Sequence, residues 1–130
     1  MAMSRGVIEK LGYLEDSYFM YCEDAEYCLR AMRNGINIKF VPTARLWHKV
    51  SRSTGGTESA LFIYYMTRNR LRYIKDYKEV FSITAYPFTV ISRYLRALQY
   101  LIKGKREWQV FVRAIRDGKQ GVIGRVDCII

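Results

Sequence analysis

The sequence predicts an α+β chain, mostly helical, with its little sheet confined to residues 1–50. Three observations carry this. Apolar residues recur at helical spacing through 23–34, 58–77, 80–102 and 107–117. Only 36–40 and 44–48 alternate residue by residue, as strands do. No Pro/Gly/Ser-rich linker divides the 130 residues, half of them apolar, so one unit with a real core is expected.

Taken in order, residues 1–11 read as an extended entry into a short helix, with Val7, Ile8 and Leu11 on one face and Gly12 as its stop. Ala25, Cys28, Leu29 and Met32 then fall at i, i+3, i+4 and i+7, which predicts the buried face of a second helix. Glu26 and Arg30, four apart, are expected on its wet side. Asn34-Gly35 supplies a left-handed stop. Ile36, Ile38 and Phe40 alternate with Asn37 and Lys39 until Pro42, predicting a strand. Beyond Thr43, Ala44, Leu46 and His48 share one side of a second extended run, opposite Arg45, Trp47 and Lys49. Residues 49–56 are small, polar and glycine-containing, the composition of a loop.

The helix expected over 58–77 has a seam of Leu61, Tyr64, Leu71 and Ile74, with Arg68, Arg70, Arg72 and Lys75 around the rest. Its tyrosines read as core, and an aromatic run on a helix argues against an RNA-binding sheet. Residues 80–92 carry no charge, but thirteen residues are too few to span a bilayer, and Pro87 divides them. Arg93 and Arg96 follow, each costing about 2.5–3.5 kcal/mol near a bilayer centre. A helix lying in the interface, or packed on another helix, fits better. Phe88, Ile91, Leu95, Leu98 and Ile102 would be covered while Arg93, Arg96, Lys103, Lys105 and Arg106 meet lipid phosphates. In the last helix Trp108, Phe111, Val112 and Ile115 form the apolar face and Asp117-Gly118 the end.

Charge is uneven. Residues 1–67 hold eight basic against seven acidic side chains, and residues 68–130 fourteen against five, so the net +10 lies almost wholly in the second half. That asymmetry points to a polyanionic surface, anionic lipid or nucleic acid. Cys22, Cys28 and Cys128 have no CxxC spacing and only one histidine to join them, a poor zinc set, so reduced thiols are expected. The N-terminus shows no secretory pattern, and a cytoplasmic location is expected, with peripheral attachment to the membrane's cytoplasmic face open.

Two features carry candidate chemistry. Glu23-Asp24 is predicted to open a helix, where free N–H groups and the macrodipole favour an ionised carboxylate, one able to accept a proton. Acidic residues in a first turn are also ordinary helix grammar. His48 is the sole histidine, and a lone histidine at a strand end more often packs than ligates.

The string around them resembles the C-terminal part of the catalytic domain of family 2 glycosyltransferases with the GT-A fold, in the rhamnosyltransferase-like branch. The aromatic approach Tyr18-Phe19-Met20-Tyr21, the Glu23-Asp24 pair, Arg30 six residues on, Gly35, Pro42, Ala44 and His48 match in order and without gaps. Ser51 to Gly56 resembles the family's active-site loop, and Tyr64-Tyr65 with Arg68-Asn69 its YYxxRN helix. Residues 114–125 resemble its tail less specifically. Glu15-Asp16, with Tyr13 in place of a second glycine, departs from the family's usual turn.

The resemblance implies an incomplete C-terminal portion of a GT-A domain over 1–56, carrying the acceptor side and base, and a basic, amphipathic helical extension over 57–130. It implies Asp24 as general base with Glu23 beside it, and His48 as a metal–diphosphate residue beside D-x-D partners that this sequence lacks. Trp47, Ser51, Ser53, Gly55 and Gly56 fall on the acceptor and loop positions, and Arg30, Tyr65, Arg68 and Asn69 match the family elsewhere. The implied partners are a nucleotide-sugar and a saccharide or lipid-linked acceptor, with Mn2+ or Mg2+ in the complete enzyme and none bound by this chain. Transfer by the chain alone is not expected, and unpaired strand edges suggest self-association. A membrane-surface or protein-interaction module is the alternative reading; nucleic-acid binding rests on charge alone.

Overall fold

The computed structural model describes residues 1–47, 59–127 and 129. It is mostly helical: α1 (Arg5–Leu11), a 3-10 turn (Asp16–Tyr18), α2 (Glu23–Arg33), α3 (Ala60–Asp76), α4 (Ala85–Ile102) and α5 (Trp108–Gln120). The caps follow the sequence. Gly12, at φ 78°, ends α1 and donates its N–H to Ile8. At the end of α2, Gly35 at φ 73° lets its own N–H reach Met32 O and that of Ile36 reach Ala31 O, a Schellman closure. Ser59 Oγ caps α3 by accepting the Phe62 N–H at 3.2 Å.

The core lies between α3, α4 and α5, where Ile63, Tyr64, Tyr65, Ala97, Tyr100, Val110, Phe111 and Ala114 pack together. α5 comes close against α3 at Gly118, where an added Cβ would meet Leu71 Cβ and the Arg68 carbonyl oxygen at 3.2 Å. Asp117 beside it is buried and accepts the Tyr64 hydroxyl at 2.7 Å, tying α5 to α3 with a polar bond inside the core. Gly121 at φ 77° turns the chain out of α5. The tail then runs back, Gly124 N–H donating to Ser17 O at 2.6 Å and Val126 N–H to Tyr65 Oη at 2.9 Å.

Several expectations need correction. Among the described residues there is no strand: 36–41 and 44–47 are irregular. A strand has no hydrogen bonds of its own and needs a neighbour. These residues find none, and Phe40, Leu46 and Trp47 stand exposed. The strand-edge argument for self-association goes with them.

The buried face of α2 is also rotated from the expected one. Glu26, Tyr27 and Ala31 are buried, Ala25 and Met32 exposed, and Cys28 and Leu29 between. Glu26 is not on the wet side because Arg30 Nε at 3.0 Å and Tyr77 Oη at 2.5 Å neutralise and satisfy it there. On α3, Arg68 is fully buried and Leu61 is partly exposed, the reverse of the seam read from polarity. α4 starts at Ala85, after turns over 77–80 and at 83–84, and α5 runs past Asp117-Gly118 to Gln120.

Candidate active site

The segment joining the 3-10 turn to α2 has an unusual backbone. Phe19, Tyr21 and Cys22 all take positive φ, at 62°, 65° and 72°. Each such non-glycine conformation costs about 1–3 kcal/mol and persists only where the surroundings over-determine it. Here the surroundings are two adjacent side chains of α3. Asn69 Nδ2 lies 2.9 Å from Tyr18 O, 2.6 Å from Met20 O and 2.9 Å from Tyr21 O. Arg68 donates to Tyr18 O at 3.0 Å, to Gly124 O at 2.8 Å and to Asn69 Oδ1 at 2.9 Å. Its guanidinium lies 4.8 Å from the Tyr65 ring centroid and 5.5 Å from that of Tyr64. Burial pulls the Arg68 pKa below its ordinary value.

From that segment the chain enters α2, whose first residues are Glu23 and Asp24. Asp24 is exposed, and its Oδ1 accepts the Ala25 N–H at 2.8 Å. The carboxylate thus sits against free amides of a helix N-terminus while staying open to a ligand. Glu23 is half-buried, and its Oε2 is enclosed with no hydrogen-bond partner among the described residues. Asp24 lines a cavity of about 440 Å³ together with Tyr27, Cys28, Met3, Ile36 and Lys39. Burial is the main cause that pushes the Cys22 thiol up to about 11, so a free cysteine beside the pair stays a weak nucleophile.

The other expected residues divide. Arg30 is not among the residues lining Asp24's cavity and braces the α1–α2 connection, donating to Leu11 O at 2.5 Å and Tyr13 O at 3.0 Å while pairing with Glu26. Tyr65 is buried in the core. Trp47 is exposed. His48, Ser51, Ser53, Gly55 and Gly56 lie outside the described residues. Among the described residues no three of His, Cys, Asp and Glu are grouped to hold a metal ion.

Sequence reasoning missed three polar members of the scaffold. Asp117, at the expected helix end, stands three residues after Ala114 and seven after Val110, on the buried face. Glu26 and Tyr77 are 51 residues apart, and nothing local in either position signals their hydrogen bond.

Over 70 residues, 54% of this chain, the sequence is 39% identical to a low-salt glycan biosynthesis hexosyltransferase of Haloferax volcanii. The likeness is to a glycosyltransferase. It covers 23% of that protein's length, so the chain matches less than a quarter of the relative. No family profile matches the sequence, and no solved structure matches it.

Proposed function

We propose that the chain forms the acceptor-side, base-carrying portion of an inverting glycosyltransferase of the family 2, GT-A type. It moves a sugar from a nucleotide-sugar to a saccharide or lipid-linked acceptor in cell-surface glycan synthesis. The observation that carries the reading is Asp24: an open carboxylate at a helix start, on a cavity, presented by a turn that two buried side chains hold. The partial likeness to a hexosyltransferase supports the same class.

In this reading the acceptor hydroxyl donates its hydrogen bond to Asp24. As the acceptor oxygen attacks the anomeric carbon, Asp24 takes the proton, and the bond from that carbon to the diphosphate oxygen breaks, its electron pair leaving with the nucleoside diphosphate. Attack opposite the leaving group inverts the anomeric centre. Glu23 sets the charge beside the base. A Mn2+ or Mg2+ ion would need D-x-D carboxylates, which this sequence does not contain.

Placement of donor and acceptor accounts for roughly 7–11 kcal/mol of barrier lowering in such reactions. We therefore expect the 130 residues alone to transfer no sugar. The test is an assay with a panel of nucleotide-sugars, Mn2+ or Mg2+ and saccharide acceptors, run on this chain alone and on a full-length relative. Product from the relative only is expected. Robust transfer by the isolated chain would show that the donor site has been put in the wrong place.

A second reading, attachment to an anionic membrane face, rests on α4. Its outer side carries Phe88, Ile91, Leu95, Leu98 and Ile102, with Phe88 at 72% and Ile102 at 76% exposure. Residues 80–106 include five basic side chains and no acidic one, and Lys119 Nζ lies 5.4 Å from the Tyr94 ring at the edge of that side. No helix among the described residues is long and apolar enough to cross a membrane. An apolar stripe rimmed by cations fits the headgroup boundary of anionic lipid. Co-sedimentation with phosphatidylserine/phosphatidylcholine vesicles is expected to fall with salt and with Leu95→Glu. Binding to DNA instead, or self-association without vesicle binding, would contradict it.

A further inference from the structure

We propose that Arg68 and Asn69 are positioning residues for the Glu23-Asp24 pair, fixing the left-handed backbone from which α2 starts. The inference rests on the proposed role of Asp24.

The argument is one of backbone accounting. Every buried N–H and C=O needs a partner. Residues 19–22 belong to no helix or strand; the Cys22 carbonyl accepts the Glu26 N–H at 2.8 Å as the first bond of α2, and the carbonyls before it look outside the segment. Among the described residues, the Met20 and Tyr21 carbonyls are met by the Asn69 amide, and that of Tyr18 by Asn69, Arg68 and the Met20 N–H. Asn69 is fully buried and its Oδ1 is held by Arg68 Nε, which fixes the amide so that Nδ2 faces the three carbonyls. Arg68 is in turn fixed by Gly124 O and by the two tyrosine rings. The device is therefore doubly anchored, on α3 and on the returning tail.

Its target is the strained stretch. Phe19, Tyr21 and Cys22 would relax toward negative φ if released, and Cys22 is the residue immediately before α2. A change of φ there swings the first turn of α2 relative to α3, and with it Asp24. A pair serving only to fill the core would need neither three acceptors on one turn nor donors in this number. Position and hydrogen-bond sense together point to control of presentation.

Asn69→Asp separates the two roles, because it keeps the shape and removes the donors. In the 130-residue chain, hydrogen exchange at the Met20 and Glu26 amides, which donate to Tyr18 O and Cys22 O, should speed up about tenfold or more while those of Phe111 and Ile115 keep their protection. Labelling of Cys22, resolved by mass from the other thiols, should speed up with it. In a full-length relative with the same Glu-Asp and Arg-Asn pairs, the equivalent of Asn69→Asp should lower kcat about 10–100-fold with donor KM unchanged. Cys22→Gly, which takes φ 72° without strain, should restore part of that loss. If Asn69→Asp does not fold, Arg68→Lys takes its place, keeping the charge but not the planar fork. Exchange at Met20 and Glu26 unchanged, or kcat unchanged where Asp24→Asn loses turnover, would overturn the positioning role alone. Unaltered turnover in Asp24→Asn would instead remove the base assignment on which the inference rests.

Discussion

Replacing Gly118 by Ala measures how tightly α5 is seated on the helix that holds the candidate site. In an open helix the change is favourable by about 0.8–1.0 kcal/mol, because Ala loses less backbone entropy on folding. Here the new methyl would lie 3.2 Å from Leu71 Cβ, Leu71 Cδ1 and the Arg68 carbonyl oxygen. Cδ1 can rotate a little, but the Cβ and the carbonyl belong to the frame of α3, and both residues are fully buried. Relief therefore means moving one helix off the other. Overpacking by a methyl costs about 1–3 kcal/mol, so the balance is a net destabilisation of about 1 kcal/mol. Urea unfolding followed by far-UV circular dichroism should show a lower midpoint with an unchanged slope. Gly6→Ala in α1, where an added Cβ meets nothing within 4 Å, is the control and should not lower it. A Gly118→Ala chain more stable than the parent would refute the close seating of α5 on Arg68 and Leu71.

Tyr77→Phe removes one of the two partners of Glu26; since Arg30 keeps the carboxylate paired, the loss should be about 1.5 kcal/mol in the same urea titration. The chain should also be alkali-sensitive. Burial and the hydrogen bond to Asp117 push the Tyr64 phenol from 10.0 up to about 12. The folded state holds that proton more tightly than the unfolded one, so the contribution is fully present below pH 10 and is lost as pH rises through about 12. At pH 11 the loss from Tyr64 is on the order of 1 kcal/mol, read as the part of the pH 8 to 11 change that Tyr64→Phe abolishes.

Much of the helical scaffold was legible because it is locally encoded. Gly12, the Asn34-Gly35 stop and the i, i+3, i+4 patterns act over a few residues, and the helices appear within a few residues of where those signals put them, α4 alone starting late. The strands were not, because alternation at Ile36, Ile38 and Phe40 states which face would be apolar and says nothing about whether a neighbour exists to pair with. Polarity also misled at Glu26 and Arg68. Each is charged, and each is buried because distant groups complete its hydrogen bonds: Tyr77 for the first, the Tyr18 and Gly124 carbonyls for the second. Of the site, Glu23-Asp24 at the start of α2 could be read directly. The positive φ values at Phe19, Tyr21 and Cys22 could not, since none of the three is a glycine and their conformation is imposed by Asn69, some 50 residues away.

The central claim is that Asp24 is the base. In a full-length relative that transfers sugar, Asp24→Asn keeps the size of the side chain and removes its ability to accept the proton. Turnover should fall at least about 100-fold while the donor binds as before, because a base acts mainly in the transition state. Turnover within twofold of the parent would contradict the account.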